Sequence, residues 1–229
     1  MAERVVVLSG SGLSAESGLP TFRDAAGLWR KYSWMELASP EGWRKQPGMV
    51  LAFYNERRAK AWSAVPNAAH VAIAALEKHF DVTVVTQNVD SLHERAGSTR
   101  VLHLHGELCY ARGTGPSQKR YRIDGAPIEP GQTCEEGTQL RPDIVWFGEE
   151  TRHMDEAREL VAAADRVLVV GTSLSVYPAA SLVEFARRDA AKVLNALEMD
   201  AVPAGFEFLR GAATVVVPQI TSRWLQAAD

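Results

Sequence analysis

The sequence predicts an α/β fold, a Rossmann-like doubly wound parallel sheet with a smaller inserted lobe. Short Val-rich runs recur along the chain, and their apolar residues do not alternate with polar ones, which is typical of strands buried on both faces. Segments with helical spacing separate these runs, and a glycine-rich turn follows the first run. Because such sheets bind ligands at the carboxyl ends of their strands, the residues directly after each run are candidate functional residues.

Each predicted element rests on a local pattern. The strand runs are too short for helices and are rich in β-branched residues. One helix is predicted after Asn67, which is suited to cap it, one over 154–164, where apolar residues repeat at helical spacing, and one after Pro178. The predicted strands are 4–8, 81–86, 101–104, 166–170, 192–197 and 214–217.

Two stretches interrupt the alternation and predict the smaller lobe. The first, about 23–65, contains many of the Trp and Tyr residues in a mostly helical pattern. The second, about 110–140, is polar and rich in Gly and Pro, which favours an irregular lobe. We therefore expect one domain over 1–229, whose large part comprises about 1–22, 66–109 and 141–229.

The composition is that of an ordinary globular protein. Hydrophobic residues make up 46% of the chain, charged residues 23%, and the formal net charge is -3, so there is no broad electrostatic reason to expect nucleic acid or membrane as a partner. Cys109 and Cys134 are too few for a disulfide framework. The chain shows neither a secretory signal pattern nor an apolar run long enough to span a bilayer. We expect a cytoplasmic monomer that binds neither nucleic acid nor membrane.

A phosphate-binding pattern follows the first predicted strand. Gly10, Gly12 and Ala15 match the G-x-G-x-x-G/A spacing, in which glycines allow backbone amides to approach a pyrophosphate at a helix N-terminus. A tight turn without a ligand would give the same pattern. A dehydrogenase would next show a second strand ending in an acid about 20 residues on. Pro20 to Arg23 interrupt that arrangement, which weakens the hydride-transfer interpretation.

Five motifs in order make the chain similar to the sirtuin family. They are GSGLSAESGLPTFR at 10–23, TQNVD at 86–90, LHLHG at 102–106, PDIVWFGE at 142–149 and GTS at 171–173. The resemblance implies a protein lysine deacylase that consumes NAD. In that reaction the acyl oxygen of an acyl-lysine attacks the nicotinamide ribose, releasing nicotinamide and finally giving lysine and O-acyl-ADP-ribose.

The resemblance implies that His105 is the catalytic base and that Asn88 acts beside it in the nicotinamide pocket. A neutral imidazole suits this role because its pKa near 6.5 allows it to accept a ribose hydroxyl proton at neutral pH. His103 lies two residues earlier in a predicted strand, so it is expected on the opposite face with a structural role.

The NAD contacts are likewise implied by the resemblance. Without it, polar residues after these strands would be helix caps or turns. The family often has Asn-x-Glu at the adenine ribose, whereas here two residues separate Asn195 from Glu198. The expected contacts are Gly10, Ser11, Gly12, Ser14, Ala15, Thr21, Phe22, Arg23, Trp29, Gln87, Asn88, Asp90, Gly171, Thr172, Ser173, Asn195, Ala196, Leu197 and Ala213.

Tyr54 and Arg57 are candidate acyl-binding residues. Their spacing of three puts them on one helix face, where a guanidinium and a phenol can together bind a carboxylate. This pair, with the small Ala38, resembles the class III sirtuins that remove malonyl and succinyl groups. An amphipathic helix with a packing tyrosine and solvated arginines is the alternative. Val145, Phe147, Gly148 and Glu149 resemble the segment that pairs with the substrate backbone.

Zinc is not expected. Most sirtuins hold zinc with two Cys-x-x-Cys pairs, and structural zinc needs four ligands. Here Gly113 to Pro116 stand where the first pair would lie, and only Cys134 remains near the second. We expect no metal site, and packing must then hold the lobe over about 110–140.

Two other functions remain open. The chain could transfer ADP-ribose to a protein, or it could be a non-catalytic sensor of NAD or ADP-ribose. The joint presence of Asn88, Asp90 and His105 argues against a sensor.

Overall fold

The computed structural model describes residues 2–21 and 33–227. Within these ranges nine strands form two sheets, as the α/β prediction requires. The larger sheet is six-stranded and entirely parallel, in the order β3-β2-β1-β7-β8-β9, and the smaller is antiparallel, in the order β5-β4-β6. The strands are β1 Arg4–Ser9, β2 Asp81–Thr86, β3 Val101–His103, β4 Gly106–Gly113, β5 Arg120–Arg122, β6 Leu140–Ile144, β7 Arg166–Val170, β8 Ala191–Ala196 and β9 Glu207–Arg210.

Helices cover both faces of the parallel sheet. Successive residues of β1 point to opposite faces: Val5 and Val7 pack into one apolar cluster, Val6 and Leu8 into another. This explains why the strand runs are apolar without alternation. The described helices are α1 Ser11–Ala15, α2 Trp34–Leu37, α3 Pro40–Lys45, α4 Pro47–Ser63, α5 Ala68–Ala75, α6 Leu92–Ala96, α7 Met154–Ala163 and α8 Ala213–Gln226, with 3-10 helices at Leu76–Lys78 and Ala179–Phe185.

Two of the predicted helices have the expected form. Asn67 caps α5, since its Oδ1 accepts hydrogen bonds from the backbone N–H groups of Ala69 and His70. The helix α7 occupies the predicted segment. The segment after Pro178 is a 3-10 helix rather than an α-helix. None of the described helices is both long and apolar enough to cross a membrane.

The predicted strand over 214–217 is wrong. These residues lie inside α8, whose buried residues Ala213, Val217, Ile220 and Trp224 recur at helical spacing, while Val215 is exposed. The last strand is β9, which pairs with β8 at the edge of the sheet. A short Val run fits either structure, and packing on the sheet selects the helix.

The prediction of an irregular lobe over about 110–140 is also wrong in part, because this stretch contributes to the antiparallel sheet. The helix α4 packs on that sheet through two apolar clusters. Leu51, for example, lies against Ala111, Ile128 and Leu140. The order of the parallel sheet reverses between β1 and β7, and such a switch point is where open α/β sheets bind ligands.

Candidate active site

A cavity of about 240 Å³ opens at this switch point, between the parallel sheet and the smaller antiparallel sheet. It brings together residues from most of the predicted motifs. Those predicted for NAD or catalysis are Gly10, Ser11, Gln87, Asn88, His105, Gly171, Thr172 and Ser173, and those predicted for the acyl substrate are Ala38, Tyr54, Arg57, Val145, Phe147, Gly148 and Glu149.

Glycine allows the loops after β1 and β7 to touch beneath the cavity. Gly171 has φ of 64°, and a Cβ there would lie 2.1 Å from the backbone nitrogen of Leu13. The N–H of Gly12 donates to the carbonyl of Gly171 at 2.8 Å. The glycines of the first motif therefore serve this close backbone contact, in addition to the expected phosphate binding.

Other predicted NAD contacts do not line this cavity. Asn195 is buried, and its Nδ2 donates to the carbonyls of Leu209 and Gly211, which ties β8 to β9 and to the residue that follows it. Its Oδ1 has no hydrogen-bond partner within the described ranges. Phe22, Arg23 and Trp29 lie outside the described residues. Their roles stay predictions, as do those of Gly12, Ser14, Ala15, Thr21, Asp90, Asn195, Ala196, Leu197 and Ala213.

Asn88 lines the cavity and has an unused acceptor in its side chain. The side chain is buried, its Nδ2 donates to Ser14 Oγ at 3.1 Å, and its Oδ1 is unpaired in the part of the chain that the structure describes. A buried amide oxygen without a partner is costly unless a ligand satisfies it. This atom fits a ligand that carries hydroxyl or amide donors, such as the nicotinamide riboside end of NAD.

His105 is arranged to accept a proton. Its Nδ1 lies 3.2 Å from the carbonyl of Gln87, and because a carbonyl can only accept, Nδ1 carries the hydrogen and Nε2 is left with its lone pair. Burial lowers the pKa of His105, although the Gln87 carbonyl acts in the opposite direction. The imidazole is therefore neutral at neutral pH and can act as a base.

Gly106 fixes the turn after this histidine. It has φ of 79°, and a Cβ there would lie 2.0 Å from the carbonyl oxygen of Asp143. Only glycine permits this contact between β4 and β6. The pairing holds the His105 backbone, whose carbonyl accepts the N–H of Val145.

The acyl-binding candidates come from α2, α4 and the turns beside them. Burial raises the pKa of Tyr54 to about 12, against the opposing charge of Arg57, so the phenol keeps its proton and can donate. Burial lowers the pKa of Arg57, yet a guanidinium stays charged at physiological pH. Ala38 is buried, and its carbonyl accepts the N–H of Phe147. Tyr54 and Arg57 thus place a donor and a cation in the same cavity as His105.

Glu149 is already engaged by the protein. Its carboxylate accepts hydrogen bonds from Arg141 at 2.7 Å, from Arg112 at 3.2 Å and from the backbone N–H of Trp146 at 2.8 Å. The Arg141 guanidinium also lies over the Trp146 ring, 3.2 Å from its centroid. This geometry indicates that Glu149 braces the cavity wall, and a direct contact with substrate stays only a prediction.

Replacing Glu149 with Gln is expected to lower the free energy of unfolding by about 2 kcal/mol, because Arg141 would be left buried without its counter-charge. Urea unfolding followed by circular dichroism measures this. Glu150→Gln, at the exposed neighbouring position, is the control and should be neutral. Equal stability of the two variants would contradict the bracing role.

Several residues of the cavity were not predicted from the sequence. Tyr177 and Pro178 belong to the chain after β7, so their position beyond the GTS motif at the switch point could have indicated them. The same signal applies to Val176, and Val89, Ile144 and Trp146 lie inside the TQNVD and PDIVWFGE motifs, which could have indicated them. Thr151 lies outside the motifs, and tertiary packing brings it to the cavity.

One group among the described residues could offer three ligand atoms to a metal. Atoms of Glu94, His103 and Glu107 lie within 4.8 Å of one another. Cys109 and Cys134 are both free thiols and belong to no such group in the described ranges. The expectation that the chain holds no zinc stays a prediction.

The chain is similar to known proteins over most of its length. The Sir2 family model matches residues 10–178. An NAD-dependent protein deacylase of Helicobacter pylori strain J99 is 53% identical over 188 residues, covering 82% of this chain and 80% of the relative. An NAD-dependent protein deacylase of Vibrio cholerae is 43% identical over 230 residues, covering 97% of this chain and 94% of the relative.

Solved structures of Sir2 proteins share the fold of this chain. A solved Sir2 homologue mutant in complex with ADP ribose superposes with a TM-score of 0.90 at 40% identity, covering 99% of this chain and 93% of that one. The matched segment contains all five motifs, from the glycine-rich turn to the end of β7 and beyond. The chain therefore belongs to the Sir2, or sirtuin, family.

Proposed function

We propose that the protein is an NAD-dependent protein lysine deacylase that prefers acyl groups ending in a carboxylate and acts in the cytoplasm. One observation carries the proposal: a neutral His105, Asn88 with its buried, unpaired Oδ1, and Arg57 line one cavity. The names of the Helicobacter and Vibrio relatives support the deacylase activity. The acyl preference rests on the residues alone.

His105 and Asn88 have different roles in the proposed reaction. NAD supplies the nicotinamide ribose, whose bond to nicotinamide breaks as the acyl oxygen of the substrate lysine bonds to the ribose. His105 Nε2 accepts a ribose hydroxyl proton, which makes that oxygen able to attack the acyl carbon. Asn88 Oδ1, which has no partner among the described residues, would accept a hydrogen bond from the nucleotide. Water completes the release of lysine and O-acyl-ADP-ribose.

A second set of residues in the same cavity would bind the acyl group of the substrate lysine. Ala38 has only a methyl group, which leaves length for a succinyl chain. Arg57 and the Tyr54 hydroxyl would bind the terminal carboxylate, with the charge-assisted hydrogen bonds that make such pairs strong. An acetyl group reaches neither side chain, so it would be removed with lower efficiency.

The test is to incubate the protein with acetyl-, malonyl- and succinyl-lysine peptides, with and without NAD, and to identify products by mass spectrometry. We expect NAD-dependent release of nicotinamide and free lysine, with the malonyl or succinyl peptide preferred. ADP-ribose attached to the peptide would instead indicate a transferase. Absence of nicotinamide release across the panel would refute the deacylase proposal.

A further inference from the structure

Two histidines on either side of Leu104 hold two successive carbonyls of the chain after β2. His105 Nδ1 contacts the carbonyl of Gln87, and His103 Nδ1 contacts the carbonyl of Asn88 at 2.8 Å. The two residues differ in their surroundings. His105 lines the cavity, whereas His103 is 6% exposed and lies behind it.

The contacts of His103 determine its protonation. The Asn88 carbonyl can only accept, so Nδ1 carries a hydrogen. Nε2 lies 2.7 Å from Glu94 Oε1 and 4.0 Å from Glu107 Oε2, and these carboxylates accept as well. Both ring nitrogens are therefore protonated, and His103 is an imidazolium paired with Glu94.

The pKa directions agree with this geometry. Burial acts to lower the pKa of His103, but the hydrogen bond and charge of Glu94, with smaller effects of Glu107 and the Asn88 carbonyl, raise it overall. Burial acts to raise the pKa of Glu94, and the bond to His103 lowers it overall. The carboxylate of Glu107 is itself paired with Arg120, which leaves Glu94 as the main partner.

Asn88 is consequently held at three points. Its backbone N–H donates to Thr86 Oγ1 at 3.0 Å, its Nδ2 donates to Ser14 Oγ, and its carbonyl accepts from His103. The Oδ1 is the only side-chain acceptor left for a ligand. Because a displacement of about 1 Å at a reacting group can cost about 100-fold in rate, each restraint on this residue matters for turnover.

We propose that His103, held in place by Glu94, is a positioning residue that fixes Asn88 for cleavage of the nicotinamide–ribose bond. This inference rests on the proposed function. It gives the two histidines different tasks: His105 is neutral and exchanges a proton, while His103 keeps both protons and holds the peptide.

Two substitutions replace the imidazole of His103 with a neutral amide, and each of them removes a different one of its two contacts. In an Asn side chain the amide nitrogen lies close to the position of Nδ1 of histidine. In a Gln side chain the amide nitrogen lies close to the position of Nε2. His103→Asn therefore keeps the donor to the Asn88 carbonyl and loses Glu94, whereas His103→Gln does the reverse. Glu94, whose side chain is 38% exposed, offers a second and milder pair, Glu94→Gln and Glu94→Leu.

The experiment measures nicotinamide release with an acyl peptide, together with the thermal midpoint of each variant. We expect kcat of His103→Asn and Glu94→Gln to stay within about threefold of the unmodified protein, and that of His103→Gln and Glu94→Leu to fall about tenfold or more, with KM for the peptide unchanged. EDTA should have no effect, because His103 is held by its direct ion pair with Glu94 and needs no metal between them.

Equal kcat within both pairs, or losses that simply follow the thermal midpoint, would overturn the positioning role while leaving the deacylase proposal intact. Loss of activity in EDTA would assign the Glu94–His103–Glu107 cluster to a metal and overturn it as well. An unmodified protein that releases no nicotinamide would refute the proposed function, and this assignment with it.

Discussion

Replacing His105 with Ala is expected to reduce NAD-dependent nicotinamide release by about 100- to 10,000-fold, the contribution typical of a positioned general base. The reason is that Nε2 of His105 is the proton acceptor that the Gln87 contact leaves free in the cavity. Steady-state nicotinamide release on the preferred acyl peptide measures the loss. His79→Ala, an exposed histidine before β2 at the opposite edge of the sheet, is the control.

The pH dependence follows from the same residue. The base acts in its neutral form, and burial lowers its pKa from the ordinary value near 6.5. Activity should therefore persist as the pH falls to about 6.5 and decline only at lower pH, where His105 becomes protonated. A decline centred well above pH 6.5, or a His105→Ala variant as active as His79→Ala, would remove His105 from the base role.

Replacing Arg57 with Met should reduce kcat/KM on succinyl and malonyl peptides by about 100-fold or more, since a desolvated carboxylate would lose its charged partner. Activity on acetyl peptides should change by less than about threefold, because an acetyl group has no carboxylate for this guanidinium to bind. Lys60→Met, a solvent-facing residue one turn along α4, is the matched control. Equal loss on acetyl and succinyl peptides would show that Arg57 supports the cavity generally and does not select the acyl group.

Much of the candidate site follows from local sequence. Apolar runs predict strands, parallel strands end at one edge of a sheet, and the residues that follow them meet there. Gly10, Asn88, His105 and Gly171 come together for this reason. Spacing on one helix likewise brings Tyr54 and Arg57 to the same cavity.

The partners of the polar side chains were not predictable in this way. Glu149 is held by Arg141 and Arg112, so a residue that resembles a substrate contact acts as a brace. The Nδ2 of Asn195 donates to carbonyls of β9 and of the residue after it. These contacts join segments whose approach depends on how the sheets and helices pack, which no single stretch of sequence specifies.

By itself the sequence determined the fold class, the order of most elements and about two thirds of the residues that share the cavity, because strand and helix periods and glycine-rich turns are local properties. Only the tertiary structure decided that 214–217 is helical and that the Glu94 carboxylate lies against His103, whereas His105 contacts the carbonyl of Gln87. The physical reason is the same in both cases. The state of a Val run or of an imidazole depends on the surface or carboxylate placed against it, and that neighbour comes from another part of the chain.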